Sequence, residues 1–385
     1  MSEALGAASA AAGRGPAPLA HPEESAVSDR QAAPFVPYAR DVVQWIEGRA
    51  HRLATYDPLA PLADLHPLVP LVGDAQVVAL GVASRQTHEL SALVHRSIRL
   101  LVEEAGFRAV TLEGDDPARI GLDAYVGTGA GDPRELLAGA RPFLRTGEVL
   151  GLVEWMRSYN VRHPDDPVRF TATVPGTEPS PPADGMAGIE RDLAQHVIRW
   201  HEQPGSPGSP GTPGKLGKPG LPGEPGTLGN KDVKVIYWGG LVHTANRAPR
   251  TPAPTSPPPT HLSAGGHLRR HYGPGYVSIG LTFHHGTAAA PDPAAGTAPV
   301  PAPPADFAEA LLGGAQPAAY LLDLRGDAPA PVSSWLDAAT RTRFVGPGFT
   351  AADHAEHHIA DGALRDWFDA VVHVREVTPN RPLTG

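Results

Sequence analysis

A three-layer α/β/α fold around a mainly parallel sheet is the architecture this sequence predicts. Two observations carry that expectation. Short apolar runs alternate along the chain with longer stretches whose apolar residues recur at helical spacing, and parallel strands require such crossover connections. Glycine and proline, 43 and 44 of the 385 residues, are concentrated in a few segments. The remainder, in a chain that is 41% hydrophobic, holds enough apolar side chain for a real core.

Taken in order, residues 1–36 are rich in Ala, Gly, Pro and Ser and acidic at Glu23 and Glu24. They lack the basic start and apolar centre of an export signal, and so predict a disordered tail on a cytoplasmic protein. The domain proper then occupies 37–385. Val77 to Leu80 reads as a buried strand, and Thr87 to Ala105 as a helix because Leu90, Leu93, Val94, Ile98, Leu101 and Val102 fall on one face. Ala109 to Glu113 repeats the strand signal. Glu148 to Tyr159, with Val149, Leu152, Val153 and Trp155, repeats the helix. Val168 to Val174 is a further strand, Ala187 to Trp200 a helix, and Val233 to Trp238 a strongly apolar strand. Tyr276 to Phe283, Ala319 to Leu324 and Val371 to Val377 complete the strand set. In such a sheet the active residues gather beyond the carboxyl ends of the strands.

Three segments interrupt this pattern. In 204–230 glycine stands at every third residue from Gly205 to Gly229 with prolines between, a collagen-like Gly-X-Y tract. It reads either as a short trimerising triple helix or as an extended, polyproline-like linker, and the linker is expected because so short a triple helix has little cooperative length. The Pro/Ala-rich segments 251–260 and 288–304 are expected to be exposed, irregular loops.

Composition narrows the partners and the chemistry. With 32 Lys and Arg against 41 Asp and Glu the formal charge is −9, which argues against a nucleic-acid or anionic-membrane partner. No apolar run reaches the length of a membrane span. The absence of cysteine excludes disulfide scaffolds, thiol nucleophiles and thiolate metal sites. There is no Gly-x-Ser-x-Gly elbow, phosphate loop or dinucleotide fingerprint, and no cofactor is expected. His354, His357 and His358 around Glu356 could share a metal, or could be one solvated helix face; the second is expected, in a chain with 18 histidines, and no metal site is assigned.

Several separated blocks carry a resemblance. They are Asp57-Pro58-Leu59 through Asp74-Ala75, Gly81 through Glu89, Leu101 through Arg108, Gly147-Glu148-Val149 through Asn160, Leu321 through Arg325, and Val377 through Leu383. In this order and spacing the chain resembles the erythromycin esterase family. The resemblance implies a three-layer α/β core and hydrolases that open the lactone ester of macrolides with water activated by a histidine. Where that family reads Gly-Glu-x-x-His-Gly after the first strand, this chain has Val82 and Arg85 in the Glu and His places. A guanidinium stays protonated and cannot take water's proton. Val94 stands where a Lys or Arg is usual, Val174 where an Asp is usual, and Gly240-Leu241-Val242-His243 where His-Asn-x-His is usual. Glu89, Glu113 and His243 remain of the polar set. Only Pro175 to Met186 fills the place of a long helical excursion, which would leave the cleft open to water.

The resemblance therefore implies Glu113 and His243 as catalytic residues if activity remains, with Arg85, His88, Glu89 and His285 as ligand contacts. Each has a plainer alternative: Glu113 as the ion-pair partner of Arg85, His243 as a structural histidine, and His284 and His285 as neighbours on opposite strand faces of which at most one enters a pocket. Three functions stay open. The chain has lost the family's hydrolysis and binds a small natural product or a biosynthetic partner protein in the residual cleft, as a pseudoenzyme; or it is a specialised-metabolism enzyme acting on an acyl, macrolide or peptide substrate through a rebuilt site; or it is a working carboxylic-ester hydrolase. The first is expected, because Val82, Val94, Val174, Gly240 and Leu241 replace polar groups by apolar or small ones.

Overall fold

The structure, a computed structural model, describes residues 39–114, 116–171, 185–202, 233–246, 251–253, 261–290, 296–346 and 348–383. The expected tail 1–36, the Gly-X-Y tract 204–230, Val174 and most of Pro175 to Met186 lie outside these residues, as does most of 251–260.

Along the chain the elements are α1 (Ala39–Arg49), β1 (His51–Arg52), α2 (Leu68–Val72), β2 (Val77–Val82), α3 (His88–Ala105), β3 (Phe107–Leu112), α4 (Leu122–Thr128), α5 (Pro133–Ala138), α6 (Gly147–Arg162) and β4 (Arg169–Phe170). There follow α7 (Gly185–Glu202), β5 (Lys234–Gly240), α8 (Leu241–Thr244), β6 (Thr251–Pro252), α9 (Ala264–Tyr272), β7 (Tyr276–Ala289) and β8 (Thr297–Val300). The last are α10 (Ala308–Leu312), β9 (Ala319–Asp323), α11 (Ala330–Asp337), β10 (Ala339–Arg343), β11 (His358–Ala363), α12 (Leu364–Trp367) and β12 (Ala370–Val377).

The main sheet has the order β1-β9-β12-β7-β2-β5-β3-β4. Its run from β12 to β4 is parallel throughout, and the antiparallel pairs are β1 with β9, β9 with β12, and β8 with β7. This is the mainly parallel α/β sheet expected. The central strand β2 is buried at every residue, and its side chains divide by parity. Val78, Leu80 and Val82 enter the core shared with α3 and α6, whereas Val77 and Ala79 join Tyr237 and Tyr276 under Ala194, Val197 and Ile198 of α7 and Leu268 of α9. Helix α3 stops at Gly106, whose φ of 76° is a left-handed value that glycine adopts without a Cβ penalty.

Three expectations are corrected. The segment 288–304 is not wholly irregular: β7 runs on to Ala289, and β8 pairs back on it with Gly286 opposite Val300. Val300 turns inward as Thr297 and Pro299 stay exposed, and a proline is tolerated on such a flanking strand. Thr251 and Pro252 likewise pair with β11 as β6, in a second sheet ordered β10-β11-β6. Finally, His354, His357 and His358 do not form a solvated helix face. Residues 354–356 are a turn, His358 opens β11, and His357 is buried against the rings of Phe344 and Phe349, which remove it from water.

Candidate functional site

Three of the expected residues meet beyond the carboxyl ends of β2, β3 and β5. The chain leaves β2 at Val82 and is held by Ala83 N–H to Leu281 and by Val345 N–H to the Ala83 carbonyl, so that Arg85 lies on a fixed turn. Glu113 continues the line of β3, its N–H donating to the Trp238 carbonyl at 3.0 Å. Strand β5 ends in Gly239-Gly240 and passes directly into α8, which carries His243.

Around Glu113 the contacts are dense. One carboxylate oxygen lies 2.7 Å from Arg85 Nη2, and the other accepts the Gly240 N–H at 2.9 Å. Arg85 Nη1 donates to the Glu113 carbonyl at 3.2 Å, and the guanidinium carbon lies 4.5 Å from the centre of the Phe143 ring. The pair keeps only 16% and 11% of its side-chain surface in water, so the attraction is weakly screened. Gly239 makes this approach possible, since a Cβ there would stand 2.6 Å from Glu113 Oε2. The turn is held from the far side by Asn380, whose amide donates to the Arg85 carbonyl at 2.6 Å.

His243 links this pair to a second carboxylate. Its Nε2 is 3.4 Å from Glu113 Oε1, and its Nδ1 is 3.0 Å from Oε1 of Glu190, a fully buried residue of α7. His261 Nε2 is 3.6 Å from the same Glu190 oxygen. The Tyr237 hydroxyl lies buried beneath, and burial, reinforced by the charges of Glu113 and Glu190, pushes its pKa well above the ordinary phenol value. It therefore stays protonated. The space beside the pair, walled by Arg85, Glu113, Phe143 and Trp238, is ≈ 10 Å³, on the order of what one water needs.

The sequence model of the erythromycin esterase family matches residues 102–173 and 227–377, more than half of the chain. The chain belongs to the erythromycin esterase family. Its fold is shared with a Bacillus cereus protein of known structure at 21% identity and a TM-score of 0.68, over 89% of this chain and 99% of that one. A succinoglycan biosynthesis protein gives 19% identity and a TM-score of 0.68 over 90% and 99%. A mutant of the erythromycin esterase EreC in its open conformation gives 15% identity and a TM-score of 0.53 over 88% and 99%.

In this erythromycin esterase family member the other expected site residues are engaged elsewhere. His88 Nδ1 is 2.7 Å from Glu148 Oε1, and the same carboxylate accepts the main-chain N–H of Arg381 at 3.2 Å and its Nε at 3.1 Å. The bond to Glu148 raises the His88 pKa against the opposing effect of burial. Burial pushes Glu148 up, but the bonds from His88 and Arg381 outweigh it and leave the carboxyl below its ordinary value. Both oxygens of Glu89 are taken by Thr378, one by its N–H and one by its hydroxyl, each at 2.7 Å. His88 and Glu89 thus hold the segment 378–383 across the starts of α3 and α6. His285 lies four residues past Leu281 on β7, paired with Glu376 of β12, with its Nδ1 2.9 Å from that of His284. None of the three has a described contact with Glu113 or His243.

Glu190, Phe143 and Asn380 were not anticipated. A signal for Glu190 exists: it is in phase with Ala194, Val197 and His201, the buried stripe of α7. Among the described residues no group of three or more His, Asp or Glu side chains could hold a metal ion, and no described helix is long and apolar enough to cross a membrane.

Proposed function

We propose that this member has lost the family's ester hydrolysis and that its residual cleft binds a small natural product or a partner protein. The observation that carries the reading is the Arg85–Glu113 pair. Water must lose a proton to attack an ester, and the residue in the family's base position is a permanent cation. The nearest carboxylate is already committed to that cation and to the Gly240 N–H.

The deciding experiment is incubation of the purified chain with erythromycin, followed by mass spectrometry. The expected result is no ring-opened acid. Time-dependent conversion that Glu113→Ala abolishes would establish a working hydrolase instead. Native mass spectrometry of the freshly purified chain tests for a co-purified ligand.

One observation favours a second reading. A histidine with a buried carboxylate behind one nitrogen is the arrangement of a base and its orienting group. It fits a specialised-metabolism enzyme acting on an acyl, macrolide or peptide substrate through a rebuilt site. Turnover of a co-purified compound that His243→Asn abolishes would support that reading.

A further inference from the structure

The Glu190 carboxylate is the deepest charged group near the site, with none of its surface in water. A carboxylate so buried persists only when its oxygens are satisfied. Here Oε1 stands 3.0 Å from His243 Nδ1, and Oε2 accepts the main-chain N–H of Ala264, at the start of α9, at 2.8 Å. That N–H is itself held in place. Ser263 caps α9, its Oγ accepting from Gly266 N–H at 3.0 Å and donating to the Ala245 carbonyl at 2.6 Å. Gly265 lets α9 press on the end of α8, because a Cβ there would fall 2.2 Å from the Thr244 carbonyl oxygen. Glu190 therefore ties α7, α8 and α9 at one point, and that point is the back of the His243 ring.

We propose that Glu190 is the positioning residue of this site, holding the proton of His243 on Nδ1 and turning Nε2 toward Glu113. The inference rests on taking Arg85, Glu113 and His243 as the functional centre. An ionised carboxylate only accepts hydrogen bonds, and of the two carboxylates flanking the ring Glu190 is the nearer, 3.0 Å from Nδ1 against 3.4 Å between Nε2 and a Glu113 oxygen already held by Arg85, so Nδ1 is the nitrogen that keeps its proton. Nε2 is then the nitrogen whose proton is exchanged with the cleft. The charged and titratable groups around the ring and its carboxylates include, among the described residues, Glu113 at the end of β3, Arg85 on the turn after β2, Glu190 on α7, His261 before α9 and Tyr237 on β5.

The test is long-range nitrogen–proton NMR on the full chain labelled with 15N-histidine, with His243 assigned by comparison with His243→Asn. The expected wild-type signature is the Nδ1–H tautomer. In Glu190→Gln the His243 midpoint should fall by at least about one pH unit, a tenfold loss of proton affinity. An Nε2–H tautomer in the wild type, or the same midpoint in both proteins, overturns the proposal. Should Glu190→Gln fail to fold, the wild-type tautomer alone still decides. None of these outcomes depends on whether erythromycin is hydrolysed, so failure of the functional reading and failure of this one are separable.

Discussion

Arg85 grips Glu113 at two places, the carboxylate at 2.7 Å and the main-chain carbonyl at 3.2 Å, with the face of Phe143 against its guanidinium. The guanidinium thus neutralises the neighbouring acid and fixes its backbone.

Removing one member of this pair should cost more than removing both. Arg85→Ala leaves a largely buried carboxylate without its cation, which costs on the order of 3 kcal/mol. The double variant Arg85→Ala/Glu113→Gln should recover about 1 kcal/mol or more of that loss. Urea titrations of the three proteins give the order, and wild-type stability in Arg85→Ala would mean that Arg85 serves a ligand rather than Glu113.

The two glycines at the end of β5 should respond differently to alanine. At Gly239 the added methyl meets Glu113 Oε2 at 2.6 Å and Thr244 Cγ2 at 3.1 Å, so Gly239→Ala should lose about 1–3 kcal/mol by overpacking. At Gly240 the nearest atoms are His243 Cδ2 at 3.5 Å and Arg85 Nη2 at 3.8 Å, and its φ of −70° suits any residue. Gly240→Ala should be neutral or gain up to about 1 kcal/mol through the unfolded state. Thermal melts of both variants check the contrast.

The clamp on 378–383 should be tightest in mildly acidic solution. The folded pKa of Glu148 lies below its ordinary 4.5, so its contribution is full above that value and fades as pH falls through the folded pKa. The folded pKa of His88 lies above 6.5, so its contribution is complete below 6.5 and fades as pH rises through the folded value. Hydrogen exchange at the Gly147 amide, which donates to the Arg381 carbonyl, should be slowest, after correction for intrinsic rates, between these limits. Glu148→Gln should flatten that dependence.

Acid should unfold the chain partly through His95. Burial, assisted by Arg99, lowers its pKa to about 3, and its Nε2 has no hydrogen-bond partner among the described residues. The unfolded chain therefore takes up the proton first. Below pH 6.5 this one residue removes about 1.4 kcal/mol of stability per pH unit until its folded pKa is reached. His95→Leu should remove that share of the slope in urea titrations between pH 6 and pH 4, and an unchanged slope would place a charged His95 in the fold.

What could be read from the sequence follows from how local each signal is. Val77 to Leu80 and Val235 to Trp238 announce themselves as buried strands because both sheet faces are covered there, and α3 does so through its repeating apolar face. Strands such as β1 and β6 have two residues each and exist only through a partner strand, so no periodicity reveals them. That Arg85, Glu113 and His243 come together was legible because each follows the end of a strand. Glu89 was not, since what it holds, Thr378, stands 289 residues away. Glu190 fell between these cases, visible only as one charge in phase with an apolar stripe.

The bond from Asn380 to Arg85 spans 295 residues and fixes an order of assembly. On a ribosome adding roughly 5–20 residues per second, about 15–60 s pass between the synthesis of Arg85 and that of Asn380. Throughout that interval the turn bearing Arg85 lacks its support, and the openings of α3 and α6 lack the segment that joins them. The Arg85 carbonyl gains this partner only once residue 380 has been made. Nascent chains halted before residue 378 should therefore carry the turn after β2 without this long-range support.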